Sequence, residues 1–362
     1  MPVSYHLRCY DDVLGYALPA GGKQRDSMSG QAVGIAQAIT EVARGIFRIV
    51  VPVPIPEVGF MNSYAVVGGE RTLIVDPGMS HPECCEAMAN AMEVLGIDLG
   101  RTDFFITHHH LDHFGAVSRF LSRTSRIYIG RLEAEFIAKV ASGEVEAEMG
   151  EFLEMLGFPD KDPGNLISKF YGDEFRPQRP WPFVHLDDGD VMVRGGYNFA
   201  CVIAPGHTIG HCCLYETGAG ILISGDQITA GVQFLRDRVN PLADHFLSLD
   251  RLRAMDVSLT LPGHGSPHGD HRKRIDQLRA HHQGRVEAVY GALSEDGKDA
   301  YEVTVALDGL LPDRDPLDAL SSAMRFIHTR HSFAYLQYLT AQGSAKRQYS
   351  RGRVLFSRRQ SL

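Results

Sequence analysis

The chain has 362 residues, 44% hydrophobic and 22% charged, which is ordinary globular material and enough for one large domain plus a small one. Basic residues number 36 and acidic residues 44; the net charge of −8 gives no support for a nucleic-acid binder overall. No apolar run reaches about 18 residues, so no membrane span is expected. The six cysteines include two adjacent pairs and no C-x-x-C spacing, which argues against a disulfide framework or a zinc knuckle and for small buried thiols in a reducing compartment.

In chain order, Arg8, Asp11 and Asp12 stand where a signal peptide would have its apolar centre, so a cytoplasmic location is expected. Residues 21–30 are polar and glycine-containing, a loop that joins an N-terminal extension to the main domain. The extension either packs over the site or serves an oligomer contact. Residues 46–53, 64–67 and 73–75 read as strands, and 81–95 as a helix.

The next stretch, D-F-F-I-T-H-H-H-L-D-H-F-G from Asp103 to Gly115, carries the chemistry. Phe104 to Ile106 is a short apolar run that suits a buried strand, and the histidines begin where it stops. Alternation along an extended backbone puts His108, His110 and Asp112 on one side and His109 and Leu111 on the other, with His113 opening a helix over 114–121. Imidazole and carboxylate groups gathered this tightly suit a metal site and have no use in an apolar core. The same device returns three times: A-P-G-H-T-I-G-H with His207 and His211, L-I-S-G-D with Asp226, and L-P-G-H-G with His264. Each follows an apolar run, beside a glycine that permits a tight turn.

Between these motifs lies an insertion over 131–182. Phe136, Ile137 and Val140, then Phe152, Leu153 and Leu156, recur at helical spacing, and seven glutamates between Glu133 and Glu154 read as a solvated outer face. Trp181 reads as a packing residue, and strands return over 178–204. After His264 the chain turns helical: a long amphipathic helix from Ile275 to near Gly297, then helices over 300–307, 317–327 and 333–342, and a ribbon over 347–357. His268 and His271 read as exposed. The last 19 residues hold Lys346, Arg347, Arg351, Arg353, Arg358 and Arg359 without an acid.

The His-x-His-x-Asp-His run, the later His, Asp and His, and Asp76 in I-V-D-P-G resemble the metallo-β-lactamase superfamily, within it the β-lactamase-like protein 2 and hydroxyacylglutathione hydrolase-like group. The resemblance implies an α/β fold, a four-layer αβ/βα sandwich over 39–268 with the helical insertion 131–182. It implies a winged-helix-like module over 269–362, and residues 1–38, which have no counterpart in it, read as an N-terminal extension. It implies one metal on His108, His110 and His207, a second on Asp112, His113 and His264, and Asp226 bridging both. Asp76 would orient the ligand loop, and His211 would touch substrate or order the His207 loop. Ligand types suit two zinc ions, with iron or manganese as alternatives. The expected chemistry is attack by a metal-bridging hydroxide on a small acyl substrate, a thioester or lactone, with Asp112 handling the proton. The alternatives are a single-strand endoribonuclease, favoured by the basic wing, and a mononuclear iron persulfide dioxygenase.

Overall fold

Runs of apolar residues on both faces of a strand require cover on both sides, and two sheets packed face to face between helices provide it. The computed structural model describes residues 38–359 apart from 56–57, 161–163, 165, 167–169, 171–172, 176–179, 232–234, 236–238 and 311–315, so the N-terminal extension lies outside the described residues except for its last position. Strands β1 (Ile39–Ala43), β2 (Ile46–Pro52), β3 (Phe60–Val66), β4 (Thr72–Val75), β5 (Thr102–Ile106), β6 (Ile127–Gly130) and β7 (Phe183–Leu186) form the first sheet in sequential order. Its pairings are antiparallel up to β4 and parallel from β4 to β7. The second sheet has the order β12-β11-β10-β9-β8, with β8 (Val191–Arg194), β9 (Tyr197–Ile203), β10 (Cys212–Glu216), β11 (Ile221–Gly225) and β12 (Leu259–Pro262).

Alternation decides which side chain joins which core. Leu73, Val75, Phe105, Cys212, Leu214, Ile221, Ile223 and Leu261 meet between the sheets. Their neighbours Ile74, Phe104, Ile106, Cys213 and Leu222 point outward into the layers that the helices cover. Those helices are α1 (Pro82–Val94), the short turns α2 (Leu111–Phe114) and α3 (Val117–Phe120), the insertion pair α4 (Arg131–Ser142) and α5 (Glu144–Leu156), and α6 (Pro241–Arg253). Then come α7 (His271–Ala292), α8 (Ala300–Ala306), α9 (Ser322–Ala341) and a ribbon of β13 (Ala345–Ser350) and β14 (Arg353–Arg358). This is the mixed α/β sandwich that the sequence implied.

Four readings need correction. The helices expected over 317–327 and 333–342 are one continuous α9, preceded by a single 3-10 turn at Leu317–Ala319, because no glycine or proline interrupts residues 322–341. The long helix α7 starts earlier and ends earlier than the apolar spacing suggested, at His271–Ala292. His268 is half-buried, because its backbone pairs with Thr260 of β12, and His271 is buried in the first turn of α7. The helix expected over 114–121 divides into α2 and α3, and α2 already contains Asp112, so a helical turn and not strand alternation delivers that carboxylate.

The ribbon is not a free appendage. Val354 and Phe356 are buried, β14 packs on α5 and α8, and Arg353 pairs with the buried Asp299 at 3.1 Å. Arg358 donates to the carbonyls of Tyr290 and Gly291. Trp181 stacks on Phe183 at 5.9 Å and meets the edge of Phe114 at 5.1 Å, a packing role as read from the sequence.

Candidate metal centre

Five strands of the two sheets end on one edge of the sandwich, and each hands over a functional residue within a few positions: Asp76 after β4, His108 to His113 after β5, His207 after β9, Asp226 after β11 and His264 after β12. Glycine makes the approach possible. A Cβ at Gly263 would collide with Asp226 Oδ1 and stand 2.8 Å from His113 Cε1.

Two groups of donors result. His108 Nε2 and His110 Nδ1 lie 2.8 Å apart, and His207 Nε2 lies 3.2 and 2.9 Å from them. In the second group His264 Nε2 is 3.3 Å from both His113 Nε2 and Asp112 Oδ2, which is itself 3.7 Å from His113 Nε2. Asp226 stands between the groups, Oδ2 at 3.5 Å from His207 Nε2 and 3.6 Å from His264 Nε2, Oδ1 at 3.5 Å from His113 Nε2.

The surroundings fix which nitrogen faces inward. Thr107 donates its backbone N–H and its hydroxyl to Asp76 at 2.8 and 2.7 Å, so the same hydroxyl accepts from His108 Nδ1 at 2.9 Å. His113 Nδ1 donates to Asp76 Oδ2 at 2.8 Å, and His264 Nδ1 donates to the Phe60 carbonyl at 2.9 Å. With these outer protons assigned, the Nε2 atoms of His108, His113 and His264 point their lone pairs at one another and at carboxylates. Only a proton or a cation can occupy such a space. Asp226 Oδ1 is buried and makes no hydrogen bond among the described residues. The donor set, five imidazoles and two carboxylates in overlapping groups whose atoms lie within 4.8 Å of one another, fits divalent metal ions.

Charge runs the same way. Burial would raise the Asp226 carboxyl, yet His264, His113 and His207 hold it well below the usual carboxylate range. Burial would also raise Asp112, but His113 and His264 bring it down to about 2. Burial would depress His113, and the surrounding Asp226, Asp112 and Asp76 overcome that and push it well above its ordinary value. Burial and the neighbouring imidazoles push His108 down, keeping it neutral. The centre draws positive charge onto itself.

Asp76 holds the ligand loop, from a left-handed backbone conformation at φ 51°. His211 is fully buried; its Nε2 accepts from the Asp226 backbone N–H at 3.1 Å and its ring stacks on His108 with centroids 5.2 Å apart, so it ties the Asp226 loop to the ligand segment. The Cys212 thiol donates to the Gly210 carbonyl, and Cys201 and burial push it well up, which leaves no thiolate nucleophile there.

Glu133 was missed. Six of the seven glutamates in the insertion are exposed, as read, but Glu133 is fully buried and accepts from His109 N–H at 2.8 Å, Thr208 Oγ1 at 2.7 Å and Gly210 N–H at 2.7 Å, and pairs with His109 Nδ1 at 2.6 Å. It ties the His108–His110 segment to the His207 loop. Burial would raise its carboxyl, but His109 and the donors of Thr208 and Gly210 hold it down to about 2. The signal was present: Glu133, Ile137 and Val140 share one face of α4, so the apolar spacing already placed this acid on the buried stripe. Asn62 was missed as well; its Nδ2 donates to the carbonyls of Pro262 and Gly265 at 2.9 and 2.7 Å and so pins the His264 loop to β3.

The family description "Metallo-beta-lactamase superfamily" matches residues 56–264. "Probable metallo-hydrolase YqjP" of Bacillus subtilis is 24% identical over 290 residues, which cover 71% of this chain and 83% of that protein. The human protein "Acyl-coenzyme A thioesterase MBLAC2" is 28% identical over 221 residues, 58% of this chain and 75% of its own length. Among solved structures, the metallo-beta-lactamase family protein TTHA1429 from Thermus thermophilus superposes with a TM-score of 0.74 at 26% identity, covering 88% of this chain and all of that one. With its matched region spanning more than half of the sequence and enclosing every candidate ligand, the chain belongs to the metallo-beta-lactamase superfamily, a superfamily of metallo-hydrolases.

Proposed function

We propose that this chain is a binuclear metal-dependent hydrolase of small acyl compounds, thioesters or lactones. The observation that carries the reading is the pair of donor groups joined by Asp226 at the common strand edge. In it His108, His110 and His207 would hold one ion and Asp112, His113 and His264 the other, with Asp226 within reach of both groups; zinc suits the ligands, with iron or manganese as alternatives. Divalent metals supply Lewis acidity to a carbonyl oxygen and bring the pKa of water toward neutrality. Asp112 would be the proton carrier: its side chain is 18% exposed, Oδ2 lies 3.3 Å from His264 Nε2, and the carboxylate would take the proton of the attacking water and return it to the leaving group. Asp76, Glu133 and His211 hold the loops on which these groups sit.

Support for a small acyl substrate comes from the likeness to the human acyl-coenzyme A thioesterase and from where the charges lie. The six exposed glutamates of the insertion would repel a polyanionic strand, and Arg353 and Arg358 of the ribbon are spent on Asp299 and on backbone carbonyls. Because Val354 and Phe356 are buried, the test removes charge and keeps the ribbon: Lys346→Ala, Arg347→Ala and Arg351→Ala together. The measurement is kcat/KM on acyl-coenzyme A, a lactone and single-stranded RNA, at low and high salt with matched metal content. Acyl turnover is expected to change by less than about threefold in the triple variant, since small substrates release few counterions. RNA cleavage at a rate comparable to acyl hydrolysis, collapsing with salt and in the triple variant, would replace the acyl reading with the nuclease.

A further inference from the structure

The loops that carry His207 and Asp226 leave β9 and β11, and β10 lies between those strands in the sheet, so no backbone ladder joins the two loops directly. Helix α6 spans the gap. His245 and Ser248 stand three residues apart, on one face of the helix. Ser248 Oγ donates to the Pro205 carbonyl at 2.8 Å, and Gly206, with φ +132°, lies so close to the helix that a Cβ there would be 2.5 Å from both Cα and Cβ of His245. On the other loop, Gln227 Nε2 donates to His245 Nδ1 at 3.0 Å. His245, Gln227 and Ser248 are all buried. Behind His245, the His282 ring of α7 packs edge-on at 5.0 Å, and His282 Nδ1 is hydrogen-bonded to the Tyr335 hydroxyl of α9 at 2.9 Å.

We infer that His245 is a positioning residue for the metal centre: from α6 it clamps the His207 loop and the Asp226 loop together, and the C-terminal helices hold it in place through His282 and Tyr335. The inference rests on the metal-centre reading and adds a structural role for the helices that follow the catalytic sandwich. A core histidine that merely filled space would need no bond to Gln227. The clamp needs an acceptor at the Nδ1 position, and this separates the two roles.

His245→Leu keeps the volume without the acceptor, whereas His245→Asn keeps an acceptor near Nδ1 with less volume. Zinc affinity of the folded chain is measured by competition with a chelator, alongside Tm and amide exchange at Asp226 and Gln227. The leucine variant is expected to bind zinc about 10–100-fold more weakly, the range for residues that hold ligands in place, and the asparagine variant within about threefold of the parent. Equal losses in both variants, or unchanged affinity in the leucine variant, would overturn the clamp. Should His245→Leu fail to fold, Gln227→Leu removes the other half of the same bond and carries the same expectation. A parent chain that bound no divalent metal would sink the metal-centre reading alone; the clamp would then be decided by exchange. Faster exchange at Asp226 and Gln227 in the leucine than in the asparagine variant supports it, and equal exchange rejects it.

Discussion

Among the described residues two clusters of histidines stand out, and the donor geometry of one of them fits metal. At the strand edge, Asp76, the Thr107 hydroxyl and the Phe60 carbonyl take the outer ring protons, so inner nitrogens converge on each other and on Asp112 and Asp226 within 3.3–3.7 Å. Among the helices, His245, His282 and His331 pack as ring edges, with centroid separations of 5.0 and 6.2 Å. The charged neighbours of His245 and His282 are imidazoles and arginines, not acids. Burial and then neighbouring imidazoles push His245 down to about 3 and His282 well below its ordinary value, whereas the acids of the first cluster push His113 well up. The difference teaches that imidazole density does not make a metal site; carboxylates and fixed outer protons do.

The largest effect that tests this contrast is removal of the acid between the two groups. Asp226→Ala should lower metal occupancy and turnover together, turnover by at least about 100-fold, because both groups lose their shared carboxylate. His268→Ala is the control, since its side chain belongs to neither donor group, and elemental analysis with kcat compares the two. Equal losses would dissolve the distinction between the strand-edge cluster and other histidines.

A second, smaller effect concerns Glu133. Glu133→Gln keeps the shape but turns an N–H2 toward the donors of His109, Thr208 and Gly210, and turnover should fall about 10–100-fold as the His207 loop loosens. Its pH signature has a definite sign. The folded carboxyl lies at about 2 against 4.5 for the free group, so its contribution to stability is full above pH 4.5 and is lost as pH falls toward 2. Metal-free parent should therefore lose stability across that window more steeply than the glutamine variant, as read by denaturant midpoints. Parallel acid limbs would contradict the assignment of Glu133.

The smallest effect lies in the second cluster. Tyr335→Phe removes the hydroxyl bonded to His282 Nδ1 and should cost about 1–2 kcal/mol of stability; because it loosens the support of His245 but leaves the Gln227–His245 bond in place, zinc affinity should fall by only about threefold. A tenfold loss of zinc affinity would mean that the helical cluster belongs to the centre more directly than its geometry indicates.

Much of the strand edge was legible in the sequence because each ligand follows a short apolar run and adjoins a glycine, features that local physics reads well. Asp226 and His264 were found that way, 118 and 156 residues after His108. What was hidden depends on tertiary partners. Glu133 belongs to an insertion with six exposed glutamates and differs from them in lying on the apolar face, and His271 looks polar in sequence but is buried in the first turn of α7. The single α9 was misread as two helices because the apolar spacing weakens around Arg330 and His331, although no breaker stands there. Asp112 reaches the cluster from a helical turn and not from the strand alternation that the sequence suggests, since α2 begins one residue before it.

Two donor groups flank Asp226, and metal stoichiometry tests most directly whether they share it. Metal-free chain titrated with zinc under calorimetry, with elemental analysis of the saturated protein, should show two ions per chain, and His264→Ala should reduce this to one while the His108, His110 and His207 group remains loaded. A single ion per chain in fully loaded parent protein, with His264→Ala leaving that number unchanged, would contradict the account.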